Sequence, residues 1–377
     1  MQTFSFQLTT KIYFGTDITR QALEQERSRL AGNLLIVTTG RSLISHGHLA
    51  RLVSCLENTG KVTIFDKVSQ NPRLEEVREA IRIGKENRID TIIGFGGGSA
   101  LDAAKAVALG IPTKEDVGEY LLNGKEPSQN VLPMIAIPTT AGSGSELSRA
   151  AILSSPVHHI KAGIRGKSLL PQVAIVDVRY TWTMPRKTTM ETGFDVLAHG
   201  AESYLAVKAN PFSEMLSEKA IRIAGECLPI LWNQPAHPEA REKMCFASML
   251  MGMNLANVGT CLPHRMQYPV GAATDTSHAA GLLALYPAWI RYEYDVNQEK
   301  VRDIVQWLTG NRPQDGQQAQ REVELFLRKI DCRYALRDLG ITMDMAEELC
   351  FQVTGNLKND RLAEIPHAVR MIYEDSM

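Results

Sequence analysis

Four side chains carry the clearest chemical signal in this sequence: Asp195, His199, His264 and His278. Asp195 and His199 stand four residues apart in TTMETGFDVLAHGAESYLAV, a segment that reads as a helix, so both fall on one face. His264 is expected to close a further helix, and His278 to open the next one. One carboxylate and three imidazoles suit a divalent transition metal such as iron or zinc. Taken singly, an i,i+4 Asp/His pair is more often a surface or capping pair, and spacing does not by itself bring the four to one point. The remaining histidines have no partner pattern: His46, His48, His237 and His367 read as structural or solvent-facing, and His158-His159 as part of a loop.

A second chemistry is written in glycine. GFGGGSALDAAK (94–105) follows a strand and opens a helix. Gly96, Gly97 and Gly98 allow a sharp turn and close approach of a ligand to the backbone. Ser99 is expected to cap the helix, with Asp102 completing a capping box, and the free N–H groups there would favour a diphosphate. The common dinucleotide fingerprint GxGxxG is a near miss, because its sixth position is Ser99. IPTTAGSGSE (137–146) supplies a second Gly/Ser/Thr-rich turn after a second strand, and in a parallel sheet both would lie at carboxyl ends, where ligands bind.

These turns must be positioned by alternating elements. Strands are expected at 34–39, 61–68, 90–95, 134–140 and 173–178, with helices at 47–59, 73–88 and 99–110. Such alternation predicts a doubly wound, mostly parallel α/β sheet for a dinucleotide-binding domain at 1–180. The first fifteen residues alternate like an edge strand or hairpin. Beyond Thr181 the sequence reads as helices only, with breaks at Asn210-Pro211, Gln234-Pro235 and 311–316, which predicts an all-α metal-binding domain at 181–377.

The chain has 377 residues, 44% hydrophobic and 22% charged, as expected of a globular enzyme. A net charge of -1 argues against a broad nucleic-acid footprint. No run of 18 apolar residues is present to span a bilayer, and the N-terminal segment lacks the continuous apolar core of a secretion signal. Six scattered cysteines, none in a CxxC pair, suit a reducing cytoplasm.

With these motifs in place, the chain resembles the iron-containing (group III) alcohol dehydrogenases through most of its length. The matching pieces are GGGSALDAAK, IPTTAGSGSE, P-x-VAIVD at 171–177, T-x-x-MP at 181–185, TGFDVLAHGAES at 192–203, and the spaced His264 and His278. The resemblance implies metal ligation by Asp195, His199, His264 and His278, with Fe(II), or alternatively Zn(II), as the ion. It implies a diphosphate loop at Gly96, Gly97, Gly98 and Ser99 with Asp102 beside it, and cofactor contacts at Thr139, Thr140, Ser148 and Lys161. Small-molecule alcohols or aldehydes would be the substrates, with no nucleic-acid or membrane partner. A homodimer is the candidate assembly.

Two positions depart from the family. Where many members have another histidine, four residues after the third ligand, this chain has Tyr268, a candidate for positioning or proton relay rather than a near-neutral base. Where NAD-preferring members often have an aspartate, this chain runs Thr38-Thr39-Gly40-Arg41-Ser42. No aspartate stands there to repel a 2′-phosphate, and Arg41 or Ser42 could contact it, which favours NADP(H) over NAD(H); Thr39 and Gly40 join Arg41 as expected cofactor-binding residues. The expected activity is hydride transfer between nicotinamide and a small alcohol or aldehyde. The alternatives are a reductase of a small anionic aldehyde, such as phosphonoacetaldehyde, and a hydroxyacid–oxoacid type oxidoreductase. Glycerol dehydrogenases and dehydroquinate synthase-like enzymes share the expected architecture, and a catalytically dead scaffold is the alternative of another class.

Overall fold

The computed structural model describes residues 3–57 and 59–377. They divide into two compact units: Leu8–Met184, and residues 3–7 together with Pro185–Met377. The extreme N-terminal residues thus belong with the helices and not with the sheet, contrary to a boundary that assigns 1–180 to one domain. The physical reason is local. The Gln7 backbone exchanges hydrogen bonds of 2.8 and 3.1 Å with the Asn257 side chain, and Phe6 packs edge-on against Phe212.

Among the described residues, the sheet unit runs β1 (Lys11–Gly15), α1 (Thr19–Gln25), β2 (Leu34–Thr38), α2 (Arg41–Ser45), α3 (His48–Cys55), β3 (Val62–Phe65), α4 (Leu74–Glu86), β4 (Thr91–Gly96), α5 (Gly98–Gly110), α6 (Val117–Leu122), β5 (Met134–Pro138), β6 (Ala150–Ser155), β7 (Ile160–Arg165) and β8 (Val173–Asp177). Six strands form one all-parallel sheet in the order β1-β8-β5-β4-β2-β3. The inner strands are buried along their whole length, as a sheet covered on both faces requires. Leu35, Val37 and Ile92 enter one core with α4 and α5, while Leu34, Ile36, Ile93 and Phe95 enter the other with α1 and α3.

Strand β2 lies between β3 and β4, so the chain steps outward from β2 to β3 and then crosses back over β2 to β4. That makes a topological switch point at the carboxyl ends of β2 and β4, the usual ligand crevice of such sheets. β6 and β7 form a separate antiparallel hairpin that is not among the strands expected from sequence. Its alternation is real, with Ala151, Leu153 and Ser155 turned inward.

The helical unit comprises α7 (Arg186–Leu205), α8 (Pro211–Asn233), α9 (Pro238–Asn257), α10 (Leu262–Thr274), α11 (His278–Val296), α12 (Gln298–Thr309), α13 (Gly316–Lys329), α14 (Met343–Cys350) and α15 (Ala368–Asp375). α7 is the core helix and packs against α8, α9 and α11. Asn210 caps α8 through hydrogen bonds from Phe212 and Ser213 N–H, so Asn210-Pro211 marks a helix start. α9 and α10 meet at 97°. The bend passes through Gly259 at φ 82, and Pro263 occupies the first turn of α10. His264 therefore opens a helix and does not close one, which corrects the reading from sequence. Among the described residues no single helix is long and apolar enough to cross a membrane.

Candidate metal centre and cofactor loops

Asp195 and His199 project from the same face of α7, His264 from the first turn of α10, and His278 from the first residue of α11. Ser277 caps α11, accepting from Ala280 N–H at 3.2 Å while its hydroxyl donates to Glu191. The four side chains converge. Asp195 Oδ1 lies 3.6, 3.5 and 3.8 Å from Nε2 of His199, His264 and His278. Ligands at about 2.1 Å from a tetrahedral ion are about 3.4 Å apart; Asp195, His199 and His264, whose ligand atoms all lie within 4.8 Å of one another, suit one shared ion, and His278 approaches it from the side of Asp195.

Two observations test the fit. Asp195 Oδ1 is buried with no hydrogen-bond partner among the described residues, a costly state for a carboxylate oxygen unless a cation meets it. His264 Nε2 and His199 Nε2 face each other at 2.9 Å, and two bare lone pairs at that distance repel unless a proton or a metal stands between them. The donor set is the harder-to-intermediate N/O mixture that iron(II) and zinc accept. Asp195, His199 and His264 are buried, while the His278 side chain is 33% exposed, so the centre is open on that edge.

The neighbours of the ligands set their tautomers. His264 Nδ1 donates to Glu202 Oε1 at 2.6 Å, and His278 Nδ1 donates to Gln267 Oε1 at 2.5 Å. Each bond leaves the Nε2 lone pair directed at the centre. Glu202 Oε2 also accepts from Cys261 N–H at 2.7 Å, and Asp360 accepts from Leu262 N–H at 2.9 Å, so the open end of α10 is satisfied by carboxylates. Burial opposes charge here and is outweighed. His199, with His264 and His278, holds the Asp195 carboxyl well below its usual range, and Glu202 with Asp195 pushes His264 up to about 10. A bound cation would meet the same two carboxylates that favour a protonated His264 in its absence.

In the sheet unit, the two glycine-rich turns and the end of β2 come together. Thr139 N–H donates to Gly96 O at 2.9 Å. A Cβ on Gly97 would lie 3.3 Å from Thr140, and one on Gly98 would lie 2.7 Å from Ser143 Oγ, so glycine is what lets the second turn approach the first. A Cβ on Gly96 would be 3.8 Å from Thr39 Oγ1. Gly40, at φ 78, precedes the exposed Arg41 at the start of α2.

Two residues take other places than the sequence suggests. The N-cap of α5 is Gly97, and Ser99 sits inside the first turn with its hydroxyl donating to Gln70 O. The helix begins before the serine, so no capping box forms there. Asp102 accepts from Ser145 Oγ at 2.5 Å, Ile152 N–H at 2.9 Å and Lys105 Nζ at 3.3 Å, which makes it a brace for the 145–152 segment. Ser148 accepts from Lys105 at 3.0 Å, and Lys161 donates to Asn71 at 2.8 Å.

The iron-containing alcohol dehydrogenase profile matches residues 9–178, and that of the Fe-containing alcohol dehydrogenase family C-terminal region matches 189–371. The chain belongs to the iron-containing alcohol dehydrogenase family. Long-chain-alcohol dehydrogenase 1 of Geobacillus thermodenitrificans is 31% identical, covering 94% of this chain and 92% of its own. The 1,3-propanediol dehydrogenase of Citrobacter freundii is also 31% identical, over 84% of each. The crystal structure of sulfoacetaldehyde reductase from Bifidobacterium kashiwanohense in complex with NAD+ shares a TM-score of 0.88 at 27% identity, covering 100% of this chain and 98% of that one.

As an iron-containing alcohol dehydrogenase, the protein is an oxidoreductase that acts on CH–OH groups with a nicotinamide. Two of its functional residues, Glu202 and Gln267, are not singled out by sequence reasoning. A signal for Glu202 exists: it lies three residues past His199, on the face already marked by Asp195 and His199. Gln267 carries no such mark. Its place depends on Gly281, where a Cβ would come within 2.6 Å of the glutamine side chain.

Proposed function

We propose that this protein interconverts a small aldehyde and its alcohol, using NAD(P)(H) and one divalent metal, iron(II), held by Asp195, His199, His264 and His278. The observation that carries the reading is the convergence of three imidazole nitrogens on the buried, unpartnered Oδ1 of Asp195. When bound, the metal supplies Lewis acidity toward a carbonyl oxygen and the reduced nicotinamide supplies hydride. Reduction consumes one aldehyde, one hydride and one proton, and yields alcohol and oxidised cofactor.

The chain's own groups define the rest. Glu202 and Gln267 keep the two imidazoles oriented throughout. Tyr268, half-buried and stacked 6.3 Å from the His278 ring, stands at the exposed edge, where it would position the substrate and pass a proton to the product oxygen. The turns at Gly96–Ser99 and Thr139–Thr140, with the N-terminus of α5, would hold the diphosphate. Thr39 and Gly40 would meet the adenosine ribose, and Ser148 and Lys161 the nicotinamide side. Arg41 would pair with a 2′-phosphate, which favours NADP(H). The six free cysteines support a reducing, cytoplasmic setting.

Substitution His264→Ala should remove nearly all bound metal, measured by elemental analysis, and lower kcat/KM by at least about 10³-fold, several kcal/mol of transition-state charge stabilisation. Full metal content with full activity would overturn the assignment. Arg41→Ala should lower kcat/KM with NADPH about 10-fold and leave the NADH value unchanged; an unchanged NADPH/NADH ratio would return the preference to NAD(H).

A further inference from the structure

Arg265 follows the ligand His264 in the first turn of α10 and is only 8% exposed. Two arginines are this buried among the described residues. The other, Arg241, donates its Nε to Pro235 O at 2.7 Å. Arg265 is provided for less well. Its Nη2 donates to Thr260 Oγ1 at 3.2 Å, its Cζ lies 5.8 Å from the centre of the Tyr268 ring, and its Nε is buried without an acceptor. None of the ion pairs formed by the described residues includes it. A guanidinium has five N–H donors, so the bond to Thr260 leaves it able to serve a further acceptor.

The position of the guanidinium gives the deficit a direction. The phenol ring of Tyr268 is a neighbour of both Arg265 and the half-buried His278, at 5.8 and 6.3 Å. On another side lies Gly355, an exposed residue at φ 101, where a Cβ would come within 3.3 Å of Arg265 Cδ and 3.5 Å of Nε. Glycine there lets the chain pass close over the Cδ–Nε stem without supplying Nε an acceptor. A planar cation with spare donors therefore stands one aromatic ring away from the open edge of the metal centre.

We propose that Arg265 is an anion anchor, and that the physiological aldehyde is a short one ending in an oxyanion: a carboxylate, sulfonate or phosphonate. This rests on the dehydrogenase reading and narrows it. The aldehyde end is directed to the centre formed by the four ligands. The oxyanion accepts from the guanidinium, whose fork suits two oxygens of one group, and the Tyr268 ring forms the wall between. Contacts to Thr260 and Tyr268 alone would hold the side chain but leave Nε unmet.

The test uses metal-loaded protein with saturating cofactor. Wild type should reduce at least one of succinic semialdehyde, sulfoacetaldehyde and phosphonoacetaldehyde with a kcat/KM about 10- to 100-fold above that for butanal. The preferred compound identifies the oxyanion. Arg265→Met should abolish that preference through KM, with butanal turnover unchanged within about 3-fold, and Arg265→Lys should restore part of it. Calorimetric titration with butyrate, ethanesulfonate and ethylphosphonate gives a readout independent of turnover: one should bind wild type and bind Arg265→Met at least about 10-fold more weakly. If Arg265→Met loses its metal, Arg265→Gln takes its place. Equal use of butanal and all three anionic aldehydes, with no anion bound, overturns the anchor while the dehydrogenase reading stands. If no aldehyde is reduced, the dehydrogenase reading fails, and the titration still decides whether Arg265 binds an anion.

Discussion

Lys105 and the Asp195 cluster are both buried charges, and the molecule treats them in opposite ways. The Lys105 ammonium, in the sheet unit, donates to Ser145 Oγ at 2.7 Å, Ser148 Oγ at 3.0 Å and Ala150 O at 2.8 Å, with Asp102 at 3.3 Å. Burial lowers its pKa, and Asp102 opposes that shift. Its three hydrogens are all placed, so the site is complete without a ligand. In the helical unit, two buried carboxylates face imidazoles whose nitrogens crowd one point, and Asp195 Oδ1 has no donor. One arrangement is finished by folding and holds a loop. The other leaves a carboxylate oxygen without a donor, and the cation of the proposed function would complete it.

That contrast can be broken experimentally, and the largest effect is expected on the self-contained side. Lys105→Met should strand Asp102 and two serines in the interior, lowering stability by about 3–5 kcal/mol in thermal or denaturant unfolding. Metal content should not change. Metal loss in this variant would mean that the two sites are not independent.

Glu146 sharpens the same side. It is buried near Lys105, and burial pushes its carboxyl up to about 7, with Lys105 pulling the other way. The folded state therefore holds this proton more tightly than the unfolded chain does. The contribution to stability is fully present below the unfolded value near 4.5 and is lost as pH rises toward 7, by about 3 kcal/mol. Glu146→Gln should flatten that limb of the stability–pH profile; a variant that still loses stability over this window would assign the loss to another group.

The smallest effect is expected beside the metal. Glutamine at position 202 has one acceptor oxygen where the native carboxylate uses two. Glu202→Gln must give up either the bond from His264 Nδ1 or that from Cys261 N–H. Metal affinity, measured by chelator competition, should fall about 10- to 100-fold without loss of the fold. An unchanged affinity would show that ring orientation does not depend on Glu202.

Sequence reveals these features unevenly. The Asp195/His199 pair is legible because helix periodicity alone sets its geometry. The glycine turns are legible because close backbone approach excludes a side chain at Gly97 and Gly98. The helix end at His264 is misread because the apolar run through Val258 hides a bend that one glycine at positive φ produces. Ser99 and Asp102 have capping-box spacing, yet α5 begins before them and tertiary partners claim both side chains. The β6–β7 hairpin is missed although its alternation is present, since its turn needs His159 at φ 52, a conformation that sequence does not announce. Gln267 and Arg265 depend on glycines distant in sequence, Gly281 and Gly355, and no local pattern reports such a pairing.

Glu202 has a consequence for redesign. One oxygen orients a ligand ring and the other secures the bend into α10. The ligand quartet is therefore not a detachable module. Attempts to alter metal selectivity by exchanging residues on α7 will also retune the corner from which His264 hangs, so ligand choice and chain direction must be varied together.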